Sequence, residues 1–440
     1  MKKVLSIVSL IVIITLGFPK IIGLNLVPDL KEIAAHINSS EDQTGYSVRI
    51  KSLESGWFSS TIDMYIEYDP YLATGLDLFN DVFGTNVAIT FQHGPFLTLN
   101  KWSLGRLAFR AELDKSLGRD ILDYPDTESL YSLEGHINLS GAANVIDSMP
   151  ALTSFDKTFK VGGWSGQWLF TSNRTTFQGE FHSLGLDIDD AKVRIKPAQL
   201  SIAYDGSFSK IFSEFMTDSS AEIIFGYIRA ENPSINEIVE VKNLVVGVYT
   251  ETSDDNRLIN VGLDFSAGHV TGDSRVDILD YDVRDLIFKT EMKNLDKKTL
   301  EKLILLGEYD LWPYEIDDFL PFFKASPEFN IVEISGITTK GKVSGQMDAK
   351  LAGINSLPND LENPAFWLSK VLIDSTLVFD KKFLSWVLSW AALFNPTLAS
   401  IEDETWNGLF RENTDGKSEI NFKIKDSEAT LNGILVPLPL

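Results

Sequence analysis

Alternation of apolar and polar residues dominates the chain from Tyr46 onward. Ile62, Met64 and Ile66 alternate with Asp63, Tyr65 and Glu67. Successive side chains of a strand point to opposite faces, so this period of two indicates strands with one buried and one wet face, as in antiparallel sheets. It predicts strands at 46–50, 62–68, 87–91, 133–139, 184–188, 193–195, 200–202, 261–265, 286–288, 343–351, 420–424 and 429–434.

Short turns separate these segments, for example at 54–56, at Pro197 and at 426–427. Meanders of antiparallel strands are the simplest arrangement for strands joined in this way. The pattern therefore predicts an α+β fold that is mostly antiparallel β, with one or more extended curved sheets and packed helices.

A period near 3.6 marks a few helices between the strands. After Pro28, the residues Leu30, Ile33, Ala34 and Ile37 form one apolar face. Further helices are predicted at 71–83, from a cap at Asn294 to 306, at 316–323, and from a cap at Asp380 to 394. The last is apolar on nearly all sides and too short to span a membrane, which favours burial in a groove of the sheet, or else contact with a partner or lipid.

The N-terminus carries the strongest single signal. Lys2 and Lys3 precede an apolar stretch from Val4 to Val27 that only Pro19 and Lys20 interrupt clearly. About 20 apolar residues cross a bilayer, and basic residues stay on the cytoplasmic side. Residues 1–27 are therefore predicted to be a retained transmembrane anchor with the body outside. A cleaved signal peptide and a buried helix are the alternatives, although no good cleavage site follows the apolar run.

Composition limits the possible functions. The formal net charge is −23, which disfavours nucleic-acid binding and is typical of a soluble body. The chain has no Cys, which fits an exported protein and removes thiol catalysis and Cys-based metal sites. The five His residues do not pair at metal-ligand spacing, so neither a metal nor a cofactor is indicated.

Two aromatic- and Gly-containing segments are candidate contact sites. Trp57 and Phe58 follow a turn Gly and either plug the end of a sheet or contact a ligand. His93 ends a strand before Gly94-Pro95, as a hydrogen-bonded turn residue or as an acid–base group. With three aromatic side chains of the last predicted helix, the candidate ligand or partner contacts are Trp57, Phe58, His93, Trp386, Trp390 and Phe394.

Other motifs point to structure rather than chemistry. The stretch from Gly162 to Gly166 lacks the residues of a phosphate loop, and Gln167 breaks the nucleophile-elbow pattern, so a tight turn is predicted there. The acidic runs 187–190 and 317–318 lack the ligand ladder of a calcium loop. No catalytic residue is assigned.

Four features, in order, carry a resemblance to a known family. They are the N-terminal apolar segment, Gly56-Trp57-Phe58-Ser59-Ser60, His93-Gly94-Pro95-Phe96, and the hairpin from Lys425 to Gly433. With these the chain resembles the YdgA-like family of bacterial envelope proteins, a family of unknown function. The resemblance implies an inner-membrane anchor and a periplasmic β-rich body, and it brings no reaction.

The interpretation that results is a membrane-anchored, non-enzymatic periplasmic protein. Its domains are predicted as the anchor 1–27, an N-terminal β-rich part 28–220 and a C-terminal β-rich part with helices 221–440. A groove of the sheet is expected to bind a hydrophobic ligand or lipid. The first alternative is an envelope scaffold that binds a partner protein or forms a homo-oligomer. The second alternative is an envelope hydrolase.

Overall fold

Two units make up the computed structural model of the chain. It describes residues 2–39, 41–74, 82–100, 102–188, 191–207, 216–273, 281–302, 316–358, 363–383 and 410–437. The N-terminal unit contains residues 1–185 and 206–208, and the C-terminal unit contains residues 186–205 and 209–440. The boundary predicted near residue 220 falls inside a strand, Ser219–Asn232.

The sheet of the N-terminal unit is an antiparallel meander in the order β1-β2-β3-β6-β8-β9-β12-β13. Short strands β7, β10 and β11 pair beside it, and β4 pairs with β5. The strands are β1 (Tyr46–Ser55), β2 (Ser59–Tyr68), β3 (Phe83–His93), β4 (Phe96–Leu97), β5 (Ser103–Leu104), β6 (Leu107–Leu113), β7 (Leu122–Asp123), β8 (Ser132–Ile137), β9 (Ala143–Met149), β10 (Leu152–Ser154), β11 (Phe159–Val161), β12 (Trp164–Phe170) and β13 (Thr175–Phe181).

A long helix, α1 (Lys2–Ser39), covers one face of this sheet. Ile22, Leu26 and Leu30 lie at helical spacing and pack with the strand residues Ile62 and Phe91 in one apolar cluster. Ile22 and Leu26 fall inside the span 4–27 that the sequence predicts as an anchor, so this half of the span belongs to the core of the unit. Burial of such side chains contributes about 1.5–3 kcal/mol each. Two short helices, α2 (Glu41–Thr44) and α3 (Pro70–Thr74), follow.

No helix long and apolar enough to cross a membrane is found among the residues whose side chains the structure describes, which begin at Phe18.

The C-terminal unit is built on a second antiparallel meander, in the order β15-β16-β17-β18-β19-β20-β21-β22-β24-β25-β26, with β23 beside β24. The division between the units falls within β14 (Leu184–Ile188). The strands are β15 (Ala191–Tyr204), β16 (Ser219–Asn232), β17 (Glu237–Thr252), β18 (Leu258–Asp273), β19 (Tyr281–Asp296), β20 (Glu328–Thr338), β21 (Gly341–Leu351), β22 (Val371–Phe379), β23 (Arg411–Glu412), β24 (Ser418–Lys425), β25 (Glu428–Leu431) and β26 (Ile434–Val436).

Short helices accompany this sheet. They are residues 297–302, a 3₁₀ turn Ile316–Phe319, α4 (Leu320–Lys324), α5 (Pro364–Leu368) and residues 381–383. Leu300 and Phe322 from two of them pack on Ile259 and Leu295 at one end of the sheet. The prediction of a mostly antiparallel β protein with a few helices is therefore confirmed.

One predicted break, at Pro197, is absent, because strand pairing overrides the local signal. The two strands expected on either side of Pro197 form one continuous strand, β15. Proline has no N–H to donate, and its ring needs space. The facing residue is Gly226, at which a Cβ would lie 2.8 Å from Pro197 Cδ, so the ring fits within the ladder.

Two helix predictions need correction. Phe83, the expected end of a helix 71–83, begins strand β3, and the helix there is α3. The helix after β19 is capped by Asp296 rather than Asn294, because the Asp296 carboxylate accepts hydrogen bonds from the backbone N–H and the hydroxyl of Thr299. Asn294 instead lies in β19 with a left-handed φ of 59°.

Asp380, the predicted cap of the last helix, directly precedes the helical residues 381–383. Its carboxylate accepts the backbone N–H of Lys342 at 2.7 Å, which joins the end of β22 to the hairpin between β20 and β21. The helix after it is described for residues 381–383, and its remaining predicted residues, 384–394, lie outside the described residues.

Candidate functional site

Backbone hydrogen bonds join the two aromatic segments at one end of the N-terminal sheet. Gly56 begins the turn between β1 and β2, and its N–H donates to the carbonyl of Ser59 at 2.8 Å. His93, the last residue of β3, donates its N–H to the carbonyl of Phe58 at 2.7 Å. Two segments that are more than 30 residues apart in the chain therefore form one structural unit.

The His93 ring is bonded at both nitrogens. Nδ1 lies 3.2 Å from the carbonyl oxygen of Trp57, and Nε2 lies 3.1 Å from Oγ of Ser60. A carbonyl can only accept, so Nδ1 carries the proton, and Nε2 accepts from the Ser60 hydroxyl. His93 and Ser60 are each 2% exposed. Both ring nitrogens are thus satisfied in a dry environment by a neutral imidazole.

Burial also determines how easily His93 is protonated. Loss of water around the ring lowers the pKa of His93 below its ordinary value of 6.5. The bond to the Trp57 carbonyl opposes this shift, and the charge of Lys20 adds to it. The imidazole is therefore held in its neutral form at neutral pH.

Helix α1 packs against the His93 ring and covers it. A Cβ on Gly23 would lie 2.6 Å from Cε1 of His93, closer than real side chains approach. Glycine at this position lets the helix backbone lie directly on the imidazole, at an intrinsic cost to the helix of about 1 kcal/mol relative to Ala. One turn earlier, Nζ of Lys20 lies 5.9 Å from the centre of the Trp57 ring, within range of a cation–π contact.

The Ser60–His93 pair has the hydrogen bond that a nucleophile and its base share. A backbone carbonyl orients the imidazole where a hydrolase uses a carboxylate, and neither side chain reaches solvent. A substrate carbonyl has no approach to Ser60 Oγ in this packing. The geometry of the pair therefore favours a structural role, in which it joins helix α1 to the sheet, over a catalytic role in acyl transfer.

Of the predicted contact residues, His93 is buried, two are half exposed, and three lie outside the described residues. Trp57 and Phe58 are 50% and 51% exposed beside the buried His93, so the turn presents their rings to the surroundings. Trp386, Trp390 and Phe394 lie outside the described residues. A role of these residues in ligand or partner contact stays a prediction.

Ser60, Gly23 and Lys20 complete the site and were not predicted as part of it. Ser60 belongs to the quoted Gly-Trp-Phe-Ser-Ser segment, which is a usable signal. Gly23 interrupts an apolar helical run, and such a Gly marks a close approach of the backbone. Contact between α1 and β3 could not be derived from either signal.

A second buried polar group lies elsewhere in the same unit. Asp147 on β9 accepts the Tyr131 hydroxyl at 2.9 Å and Nε1 of Trp164 at 2.6 Å. Burial and this carboxylate raise the pKa of Tyr131 above its ordinary range. Throughout the part of the chain that the structure describes, no three His, Asp or Glu side chains are grouped so that they could hold a metal ion.

A family model described as a bacterial protein of unknown function, DUF945, matches residues 1–306. The match includes α1, both aromatic segments and the sheet as far as β19, and it ends before the hairpin at 425–433. No curated protein and no solved structure matches the chain.

Proposed function

The chain belongs to DUF945, a family of bacterial proteins of unknown function, and on that premise we propose that it is a membrane-anchored envelope protein that binds lipid on its C-terminal sheet. The anchor is the N-terminal part of α1, with Lys2 and Lys3 on the cytoplasmic side and the body in the periplasm. Membership of the YdgA-like family is part of the same proposal.

Support for the anchor comes from the sequence and from the length of α1. The helix extends from Lys2 to Ser39, and the apolar segment from Val4 to Phe18 precedes Ile22, Leu26 and Leu30, which pack on the sheet. The absence of Cys is consistent with a body outside the cytoplasm.

The observation that carries the binding proposal is an apolar face on the C-terminal sheet. In the strand register, Val248 lies opposite Leu263, and Met292 lies opposite Phe329. Together with Ile223, these residues share one face across five strands, and each is 38–47% exposed. A closed sandwich core would leave such side chains almost fully buried.

The two faces of this sheet differ sharply in charge. Asp264 and Glu291 lie on the opposite face, where Glu291 accepts the Tyr249 hydroxyl at 2.6 Å and pairs with Lys293 at 2.7 Å. On the apolar face, the positions from β16 to β20 that surround Leu263 carry no charged side chain. An uncharged face crossing five strands fits acyl chains, which need apolar contact and no hydrogen-bond partners.

Site-specific photo-crosslinking in cells tests this proposal. A benzoylphenylalanine at position 263 of the full chain is expected to form lipid adducts, because Leu263 is on the apolar face. The matched control carries the same group at position 264, one residue along the same strand and on the charged face. Mass spectrometry of the purified, irradiated chain distinguishes the adducts.

A second variant tests whether the face itself is responsible. Val248→Glu places a carboxylate opposite position 263 and is expected to reduce lipid adducts there severalfold. Equal adducts at 263 and 264, or none at either, would contradict lipid binding. Reproducible adducts of one protein at 263 would instead support the envelope scaffold.

A further inference from the structure

Four turns of the N-terminal sheet lie at the end where β3 finishes. They are residues 56–58, 94–106, 138–142 and 171–174, and we call this the basal end. Backbone hydrogen bonds connect them: Gly94 donates to the carbonyl of Arg106, and Arg106 donates to that of Ile137, both at 2.7 Å. The turn 171–174 follows Phe170, which lies opposite Ala143 at the same end.

Exposed aromatic and aliphatic side chains are concentrated in these turns. Trp57 and Phe58 are half exposed, Phe96 is 54% exposed, and Trp102 is 70% exposed. Leu104 pairs with Phe96 across β4 and β5 and is also exposed. Exposed apolar groups of this density mark an interaction surface, and Trp in particular is enriched where proteins meet the bilayer interface.

Charge separates the basal end from the other end of the same sheet. The four turns contain no Asp or Glu, and their described basic residues are Arg106 and Arg174. The loop 114–131, at the opposite end, has an excess of acidic residues, because it contains Lys115 and Arg119 but five carboxylates: Asp114, Asp120, Asp123, Asp126 and Glu128. In a chain with net charge −23 this distribution leaves one end suited to anionic lipid head groups.

Helix α1 leaves the sheet at the basal end. Lys20 lies over Trp57 and Gly23 lies on His93, whereas Asn38, near the other end of the helix, bonds the backbone of Val48 close to the start of β1. The helix therefore runs along the sheet, and residues before Phe18 extend past the basal end.

The apolar part of α1 that extends past the sheet is short for a bilayer. Val4 to Phe18 covers about 22 Å at 1.5 Å per residue, whereas the hydrocarbon core is about 30 Å thick. A span that is too short draws its flanking residues toward the interface. The flanking residues here are the aromatic turns of the basal end.

From this geometry we infer that the basal end rests on the periplasmic surface of the same membrane, with the rings of Trp57, Phe58, Phe96 and Trp102 in the lipid interface. This inference rests on the proposed anchor. It gives the N-terminal unit a fixed orientation: the basal end meets lipid, and the acidic loop 114–131 points away from it. His93 and Gly23 are the contacts that hold the helix and the aromatic turns in this arrangement.

Single cysteines provide the test, since the chain has none of its own. Phe96→Cys and Phe83→Cys are matched, because both Phe side chains are about half exposed, at 54% and 53%, and Phe83 begins the strand that His93 ends. That strand is about 33 Å long at 3.3 Å per residue. Ser9→Cys reports on the anchor separately. Each full-length variant is labelled with an environment-sensitive fluorophore in phosphatidylethanolamine–phosphatidylglycerol vesicles that contain a spin-labelled lipid.

Shallow spin labels are expected to quench the label at position 96 severalfold more than the label at position 83, and deep spin labels are expected to quench the label at position 9. Quenching at 9 with equal, weak quenching at 96 and 83 would overturn the inference and leave the anchor intact. Quenching at 96 without quenching at 9 would reject the anchor and retain the basal end as a peripheral lipid-binding surface. No quenching at any position would reject both.

Discussion

At the basal end, His93 contacts both the helix α1 and the turn between β1 and β2. Its ring bonds the Trp57 carbonyl and the Ser60 hydroxyl, and the backbone of Gly23 covers it. A neutral imidazole satisfies all of these contacts, whereas an imidazolium would place a positive charge in a desolvated site. The site is therefore sensitive to the protonation state of one residue.

Stability should depend on pH through His93. The unfolded chain takes up a proton at His93 near the ordinary pKa of 6.5, and the folded chain does so only at lower pH. The stability that His93 contributes is fully present above pH 6.5 and is lost as the pH falls from there toward the folded pKa. Urea unfolding at about pH 7.5 and about pH 5.5 should show a larger loss for the natural chain than for His93→Gln.

His182→Gln is the control, since His182 is exposed. The variant should lose as much stability between the two pH values as the natural chain does. A natural chain and a His93→Gln variant with the same pH dependence would contradict a neutral, buried His93.

At the scale of elements, α1 joins the apolar N-terminal segment to the body. Its side chains Ile22, Leu26 and Leu30 fill the core of the N-terminal unit, and Asn38 makes two hydrogen bonds to Val48 at 2.7 and 3.0 Å. The helix is held at both ends of the sheet, so the body is attached through a packed interface rather than through a linker.

Gly23→Ala should weaken this attachment. Alanine favours a helix by up to about 1 kcal/mol, but its Cβ would lie 2.6 Å from His93 Cε1. Overpacking of this kind costs about 1–3 kcal/mol, so a net loss of about 1–2 kcal/mol in the free energy of unfolding is expected. Leu24→Ala, on the exposed side of the same turn, should change it by much less. A Gly23→Ala chain as stable as the natural one would show that α1 does not lie on His93.

At the scale of the whole molecule, the two units have separate apolar cores. One core contains Leu26, Ile62 and Phe91, and the other contains Met216, Ile259 and Leu295. Each core buries side chains from its own unit alone. A destabilising substitution in one unit should therefore affect the unfolding of that unit and not the unfolding of the other.

Calorimetry of the full chain should resolve two transitions. Gly23→Ala should lower the midpoint temperature of the transition that belongs to the N-terminal unit. Ala267→Leu, which overpacks a site that is 2% exposed in the C-terminal sheet, should lower the other. Both substitutions lowering a single common transition would show that the chain unfolds as one cooperative body.

Local order was determined by the sequence alone. The period of two predicted β1, β2, β3 and β18, and the period of 3.6 predicted the packed face of α1 at Leu30, because a backbone geometry repeats its side-chain directions within a few residues. The paired motifs at Gly56 and His93 also marked one important region before any contact was known.

Only the tertiary structure decided what those residues touch. The burial of His93 depends on Ser60 and on a helix residue 70 positions earlier, Gly23. The continuity of β15 through Pro197 depends on Gly226 on the neighbouring strand. Contacts between residues that are distant in the chain arise from strand register and helix docking, and no local pattern of hydrophobic residues contains that information.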